Sequence, residues 1–223
     1  MREEEHDAFR KWGEFLNKLE IGNTPTLNRF AARYKLSRKF RGIDANLAAS
    51  TLRGYSNIFH VFLAHSAFDA LVKGATELRE RNAKALFVDV GFDKNNYPMF
   101  DDKLADEVRN IKGLAEVLIE YADNEKRIVR LKEFFDVPYT KEECSNEKIA
   151  KARNEISEER NLLVVASAIR NVVAHGQLSA TGANAVTMKN AATFEKLSKF
   201  VELKTFELFQ RFVDELWEKY VSA

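Results

Sequence analysis

Arg170, Asn171 and His175 are the residues of this 223-residue chain whose types and spacing could do chemistry. They lie in the segment Arg170-Asn171-Val172-Val173-Ala174-His175-Gly176, directly after the apolar run Leu162-Leu163-Val164-Val165-Ala166-Ser167-Ala168-Ile169. Histidine titrates near neutrality, so one copy can take a proton while another gives one. Arginine carries a permanent, bidentate positive charge that suits a pentacoordinate phosphorane. Asparagine can fix an imidazole or donate to a phosphate oxygen. Together the three fit phosphodiester chemistry. RNA supplies its own nucleophile in the 2′-hydroxyl, so cleavage to a 2′,3′-cyclic phosphate needs no metal. The same residues could equally do no chemistry. A histidine in a last helical turn is favoured by the helix dipole, Gly176 is an ordinary C-cap, and Arg170 could pair with a glutamate.

The run before the motif is apolar nearly all the way round, which predicts a buried helix ending at the motif. On a helix Asn171 and His175 are four residues apart, roughly 40° around the axis, and share a face. Arg170 and His175 are five apart, roughly 140° by the same geometry. A straight helix therefore does not aim both at one atom. They converge if the helix kinks near its end, or if Arg170 and His175 of two subunits meet across a twofold axis, and a composite site at a homodimer interface is the expectation.

The rest of the chain reads as helices that would position this segment. Phe9, Trp12, Phe15, Leu16 and Leu19 predict an amphipathic helix ending near Gly22. Thr24 as N-cap and Pro25 at the first helical position start a second, which stops before Gly42. A very long helix is expected from Asp44 to about Asn82, then an irregular stretch from Ala83 to Phe100. Asp101 or Asp102 opens a helix through Ile119, and Glu125 to Phe135 forms a shorter one ahead of Val137-Pro138. One long helix from Asn146 to His175 and a linker over 177–186 come next. A last helix from Met188 to Tyr220 would be roughly 50 Å long at about 1.5 Å per residue. Helices of that length in so small a chain favour a homodimer. The expected fold class is all-α, an antiparallel helical bundle with long helices, with residues 1–43 as an N-terminal extension packed on a bundle formed by 44–223.

Composition agrees with helices. Only 9 Gly and 3 Pro punctuate the sequence, too few for a meander of short strands. A net charge of +1 advertises no nucleic-acid or membrane partner globally, so any such surface must be local. The most apolar stretch, Ile58 to Val72, is interrupted by His60, His65 and Asp69 and is too short to span a bilayer. The lone Cys144 excludes an intramolecular disulfide and fits a reducing compartment. No signal peptide is expected, because Met1-Arg2-Glu3-Glu4-Glu5 leads into an amphipathic segment. A cytoplasmic protein without a membrane segment is expected.

Arginine, a polar residue straight after it, three further positions, then histidine and glycine resembles the signature of the HEPN superfamily, the higher eukaryotes and prokaryotes nucleotide-binding domain. Arg170, Asn171 and His175 match that pattern position by position, at its shortest permitted spacing. The layout is similar too, since HEPN domains are helical bundles with the motif late in the bundle before a final helix; the likeness covers roughly Asp44 to Tyr220. The family includes metal-independent endoribonucleases that act as toxins, phage-defence effectors and RNA-processing enzymes, with the motifs of two subunits paired into one active site. The resemblance thus implies His175 as general base or acid, Arg170 as transition-state stabiliser and Asn171 as orienter. It implies RNA as substrate, a homodimer, an antitoxin protein as a further partner, and no cofactor. Other members are non-catalytic modules that bind RNA, nucleotides or proteins, which is the alternative function.

A second feature is the basic run Arg29, Arg33, Lys35, Arg38, Lys39 and Arg41, which holds no acid before Asp44 and is interleaved with Phe30, Tyr34 and Phe40. Basic side chains with aromatics can track a phosphate backbone and stack bases, making this the candidate RNA groove. The plain alternative is a solvated helix face whose aromatics pack inward. His65 and Asp69, four apart, could donate metal ligands, but a third ligand at sensible spacing is missing and no metal is expected. They could instead form a buried pair, or help to orient the motif. Cys144 sits beside Glu142 and Glu143, a setting unfavourable to a thiolate.

Overall fold

The computed structural model describes residues 3–18, 25–81, 100–156, 160–175 and 189–221. The described residues form ten helices and no strand, so the chain is all-α. The helices are α1 (Glu3–Lys18), α2 (Pro25–Lys39), α3 (Ala49–Arg81), α4 (Asp102–Arg109), α5 (Leu114–Glu120), α6 (Glu125–Phe135), α7 (Lys141–Ser145), α8 (Glu147–Glu155), α9 (Leu162–Ala174) and α10 (Ala191–Tyr220). None is long and apolar enough to cross a membrane. Two compact units result: one comprises Met1–Phe40, Ser66–Tyr97 and Glu202–Ala223, the other Arg41–His65 and Pro98–Val201. Helices α3 and α10 each contribute residues to both.

In the first unit an aromatic cluster joins α1 and α2 to the last turns of α10. Phe9 and Phe30 lie 4.7 and 4.9 Å from the Phe209 ring, and Trp12 packs on Phe212. Such rings combine large apolar area with favourable tilted contacts. Helix α2 approaches α3 closely at Gly74, where a Cβ would stand 2.7 Å from Leu27 Cγ.

The second unit holds the motif. Its core draws Ile58, Val61 and Ala64 from α3, Leu104 and Val108 from α4, Leu114 and Leu118 from α5, Leu131 and Phe134 from α6, and Phe194, Leu197 and Val201 from α10. Helix α9 runs against α5 and α6 and supplies Leu162, Val164, Val165, Ala168, Ile169 and Val172 to that core. Rich in β-branched residues, α9 owes its helical state to this burial more than to intrinsic propensity.

Several expected helices are shorter or broken. The helix expected from Asp101 through Ile119 is two, because Gly113 adopts a left-handed φ of 83° and starts α5 anew. The single helix expected from Asn146 to His175 is also two. Helix α8 ends at Glu155, Ile156 is extended, and Asn161 caps α9 by accepting from the Leu163 N–H at 2.9 Å. Residues 45–47 form a bend, so α3 starts at Ala49 and not at Asp44. The short α7, unforeseen, opens on a capping box between Thr140 and Glu143. Thr24, Gly176, the linker over 177–186 and the irregular stretch except Phe100 lie outside the described residues.

Candidate functional site

Helix α9 is buried on all but one side, and the motif occupies that side. Leu163, Ser167, Arg170, Asn171 and Val173 are half-buried, and Ala174 and His175 are exposed, while the other residues between them are core. At 100° per residue Leu163, Ser167, Arg170 and Ala174 fall in a stripe roughly 60° wide, with Asn171 about 40° and His175 about 80° beyond one edge. The expectation that the motif ends a buried helix therefore holds, and its polar side chains are accessible.

His175 is the C-cap of α9. Its N–H donates to the Asn171 carbonyl at 3.1 Å, and its φ and ψ of −92° and 4° keep it close to the helical path. An imidazolium here would interact favourably with the carbonyl end of the helix. The exposed ring is equally placed to meet a ligand.

Arg170 differs from a packing arginine. Its Nε is buried and meets no acceptor, and no described residue offers its guanidinium a carboxylate. The glutamate partner considered from the sequence is thus not among the described residues. A desolvated N–H without an acceptor costs about 1–3 kcal/mol, more when it belongs to a cation.

A neighbour that sequence reasoning missed stands one turn earlier. Arg127, on α6, directs Nη2 to the Ser167 hydroxyl at 3.4 Å, and its Nη1 lies 2.6 Å from Asp123 Oδ1. The Asp123 carboxylate thus balances the charge of this guanidinium. The one signal in the sequence was Ser167 itself, a hydroxyl four residues before Asn171 in an apolar run.

The basic run lies in the other unit apart from Arg41, and its members have different surroundings. Arg29, Arg33, Lys35, Lys39 and Arg41 are exposed. Arg33 donates to the Ser66 carbonyl at 3.3 Å, and the Lys35 ammonium sits 5.6 Å from the Phe9 ring. Arg38 instead spans two buried acids, 3.3 Å from both Glu5 and Glu202. Burial opposes its charge, but Glu5, Tyr34 and Glu202 outweigh that and raise its pKa. Tyr34 donates to Glu5 at 2.9 Å and Ser37 donates to Glu202. Burial first, and then the bond to Glu5, push the Tyr34 phenol above its usual range. Phe30 and Tyr34 face the core, leaving Phe40 half-buried, so the first two stack on protein and not on bases.

The histidines of α3 fall into helix-packing roles. His60 Nδ1 lies 3.2 Å from the Ser198 hydroxyl of α10, and His65 is buried. Asp69 pairs with Lys73 at 3.0 Å. Among the described residues no group of three or more His, Cys, Asp or Glu side chains is placed to hold a metal ion. Cys144 is exposed.

Comparison with protein-family models, with curated proteins and with solved structures gives no match. The likeness to the HEPN superfamily accordingly rests on the motif and the helical layout.

Proposed function

We propose that the protein is a metal-independent endoribonuclease whose active site is assembled from Arg170, Asn171 and His175 of two copies of the chain. The observation that carries this reading is Arg170: a partly buried guanidinium without a described carboxylate, beside Asn171 and five residues before an exposed His175. In the proposed reaction the 2′-oxygen of a ribose attacks the adjacent phosphorus and yields its proton to one His175. The partner's His175 protonates the departing 5′-oxygen, leaving a 2′,3′-cyclic phosphate and a free 5′-hydroxyl. Arg170 holds the charge that builds on the non-bridging oxygens, and electrostatic help of this kind usually contributes most to the rate. Asn171 orients the imidazole or donates to the same phosphate. Acting in the cytoplasm as a toxin or defence effector, such an enzyme would be held in check by an antitoxin protein.

The test is cleavage of structured RNA with a chelator present. Wild type should yield cyclic-phosphate ends, and Arg170→Ala and His175→Ala should each lose about a hundredfold or more in rate. Equal activity in all three, or none in any, overturns the proposal.

One observation favours a second reading. Within one chain the helical path carries Arg170 and His175 to sides roughly 140° apart. A lone protomer would therefore bind a phosphate without cutting it, as a non-catalytic RNA-, nucleotide- or protein-binding module. RNA binding that survives His175→Ala, with no cleavage by wild type, is the outcome that selects it.

A further inference from the structure

We infer that the outward face of α2 is a docking surface for an acidic amphipathic helix of another protein. Helix α2 holds the cations Arg29, Arg33, Lys35, Arg38 and Lys39 and no acid. Arg38 turns inward to Glu5 and Glu202. The other four are exposed, and among the described residues none of them has a carboxylate within ion-pair distance. Arg33 meets the Ser66 carbonyl and Lys35 the Phe9 ring, neutral partners that leave the charge unbalanced. Cations on other helices have acids beside them: Arg10 has Asp7 and Glu14, Lys199 has Glu195, and Arg211 has Glu215. The outward face of α2 lacks that neutralisation and suits an anionic partner.

These cations frame an apolar strip. Leu36 is the most exposed large apolar side chain among the described residues, at 55%, and Ala32, one turn earlier, is exposed too. The two lie about 40° apart around the axis. From their midline Arg29 and Arg33 stand about 40° and 80° to one side, and Lys39 and Lys35 about 40° and 80° to the other. In heptad terms Ala32 and Leu36 take d and a, while Arg33 and Lys35 take e and g, where charge selects the partner helix. Leu27, Phe30 and Tyr34 hold the opposite side of α2 in the core, so the strip is presented on a fixed helix. A second copy of α2 does not fit, because cations would face cations. RNA fits less well than an acidic helix. A single strand needs aromatic platforms, and Phe30 and Tyr34 are buried; the major groove of an RNA duplex is too narrow for a helix. Neither makes use of Leu36, whereas an apolar seam flanked by glutamates or aspartates uses the whole face.

The probe is a synthetic peptide of about three heptads, with leucine at a and d and glutamate at e and g, tested on the full chain by fluorescence anisotropy. It should bind at least about tenfold tighter than a scrambled peptide of the same composition, and more weakly as salt rises. Leu36→Ser should remove that preference, a loss of about tenfold or more, the size of one buried leucine. Arg29→Glu combined with Lys35→Glu should abolish binding of the glutamate peptide and confer binding of its lysine counterpart. The changed side chains are all exposed, and circular dichroism should show unchanged helix content. Equal binding of the scrambled peptide, a Leu36→Ser protein that binds as wild type does, or no binding at all overturns the inference. So does RNA that displaces the peptide from wild type and loses affinity in the charge-reversed protein. Nothing on this face depends on Arg170, so cleavage and peptide binding succeed or fail separately.

Discussion

The backbone N–H of His175 donates to the carbonyl of Asn171 at 3.1 Å, so α9 keeps its helical path to the last residue of the motif. The sequence left two ways to bring Arg170 and His175 together, a kink at the helix end or a second subunit. The intact bond removes the kink. Within one chain the two side chains leave the axis roughly 140° apart, and the proposed nuclease therefore needs two chains.

A dimer is the first expected consequence. Sedimentation equilibrium should give twice the chain mass at the concentrations where RNA is cut. A monomer that cuts RNA would contradict the composite site.

The basic run should separate into structural and binding members. Arg38→Ala leaves Glu5 and Glu202 buried without their shared cation, so a loss of about 3–5 kcal/mol in urea denaturation is expected. Arg29→Ala, Lys39→Ala and Arg41→Ala touch exposed side chains and should leave stability within about 0.5 kcal/mol. If the run contacts RNA, those three weaken binding and reduce its salt dependence.

Lys132 and Glu143 give a pH-dependent check of the second unit. Burial raises the Glu143 pKa, but hydrogen bonds from Lys132 and the Thr140 N–H overcome it, and the net shift is downward from 4.5. A carboxyl lowered on folding stabilises fully above its unfolded value and loses that contribution as pH falls through the folded value. Glu143→Gln should therefore cost about 2 kcal/mol at neutral pH, below a fully buried pair because Glu143 is partly exposed. The gap between wild type and variant should shrink below about pH 4.5 in denaturant titrations. A gap that widens in acid would contradict the pairing.

Gly74 tests the packing of the first unit. A Cβ there meets Leu27 Cγ at 2.7 Å and the Leu27 backbone nitrogen at 3.2 Å. Gly74→Ala should destabilise by about 1–3 kcal/mol although alanine is the better helix former by about 1 kcal/mol. A stabilised variant would show that α2 yields easily.

Local chemistry decided what the sequence could show. Pro25 starts α2, Asp101 caps α4 by accepting from the Leu104 N–H, and Phe135 ends α6 before Val137-Pro138, because each signal acts within a turn of itself. The breaks were harder. Gly113 sits within a helical apolar pattern and interrupts it only by taking a left-handed φ. Ile156 to Asn161 contains neither glycine nor proline, so periodicity ran through a break that Asn161 makes by capping α9. Thr140 and Glu143 did carry a capping-box signature, and α7 was legible in them.

The site was half legible for the same reason. Residue types and spacing named Arg170, Asn171 and His175, and helical geometry placed them. Arg127 stands 40 residues from Ser167 in the chain and reaches it only because α6 packs on α9. Likewise, the basic run looked uniform until folding set Arg38 against two acids drawn from α1 and α10.

The composite site is tested most directly by mixing subunits. Wild-type protein is refolded with increasing amounts of inactive His175→Ala protein and assayed on RNA with a chelator present. A mixed dimer holds one intact His175 and so lacks either the proton acceptor or the proton donor. Cleavage should fall with the square of the wild-type fraction, because only dimers of two wild-type chains cut. A fall in simple proportion to the wild-type fraction, or a His175→Ala protein that cuts as well as wild type, would contradict the account.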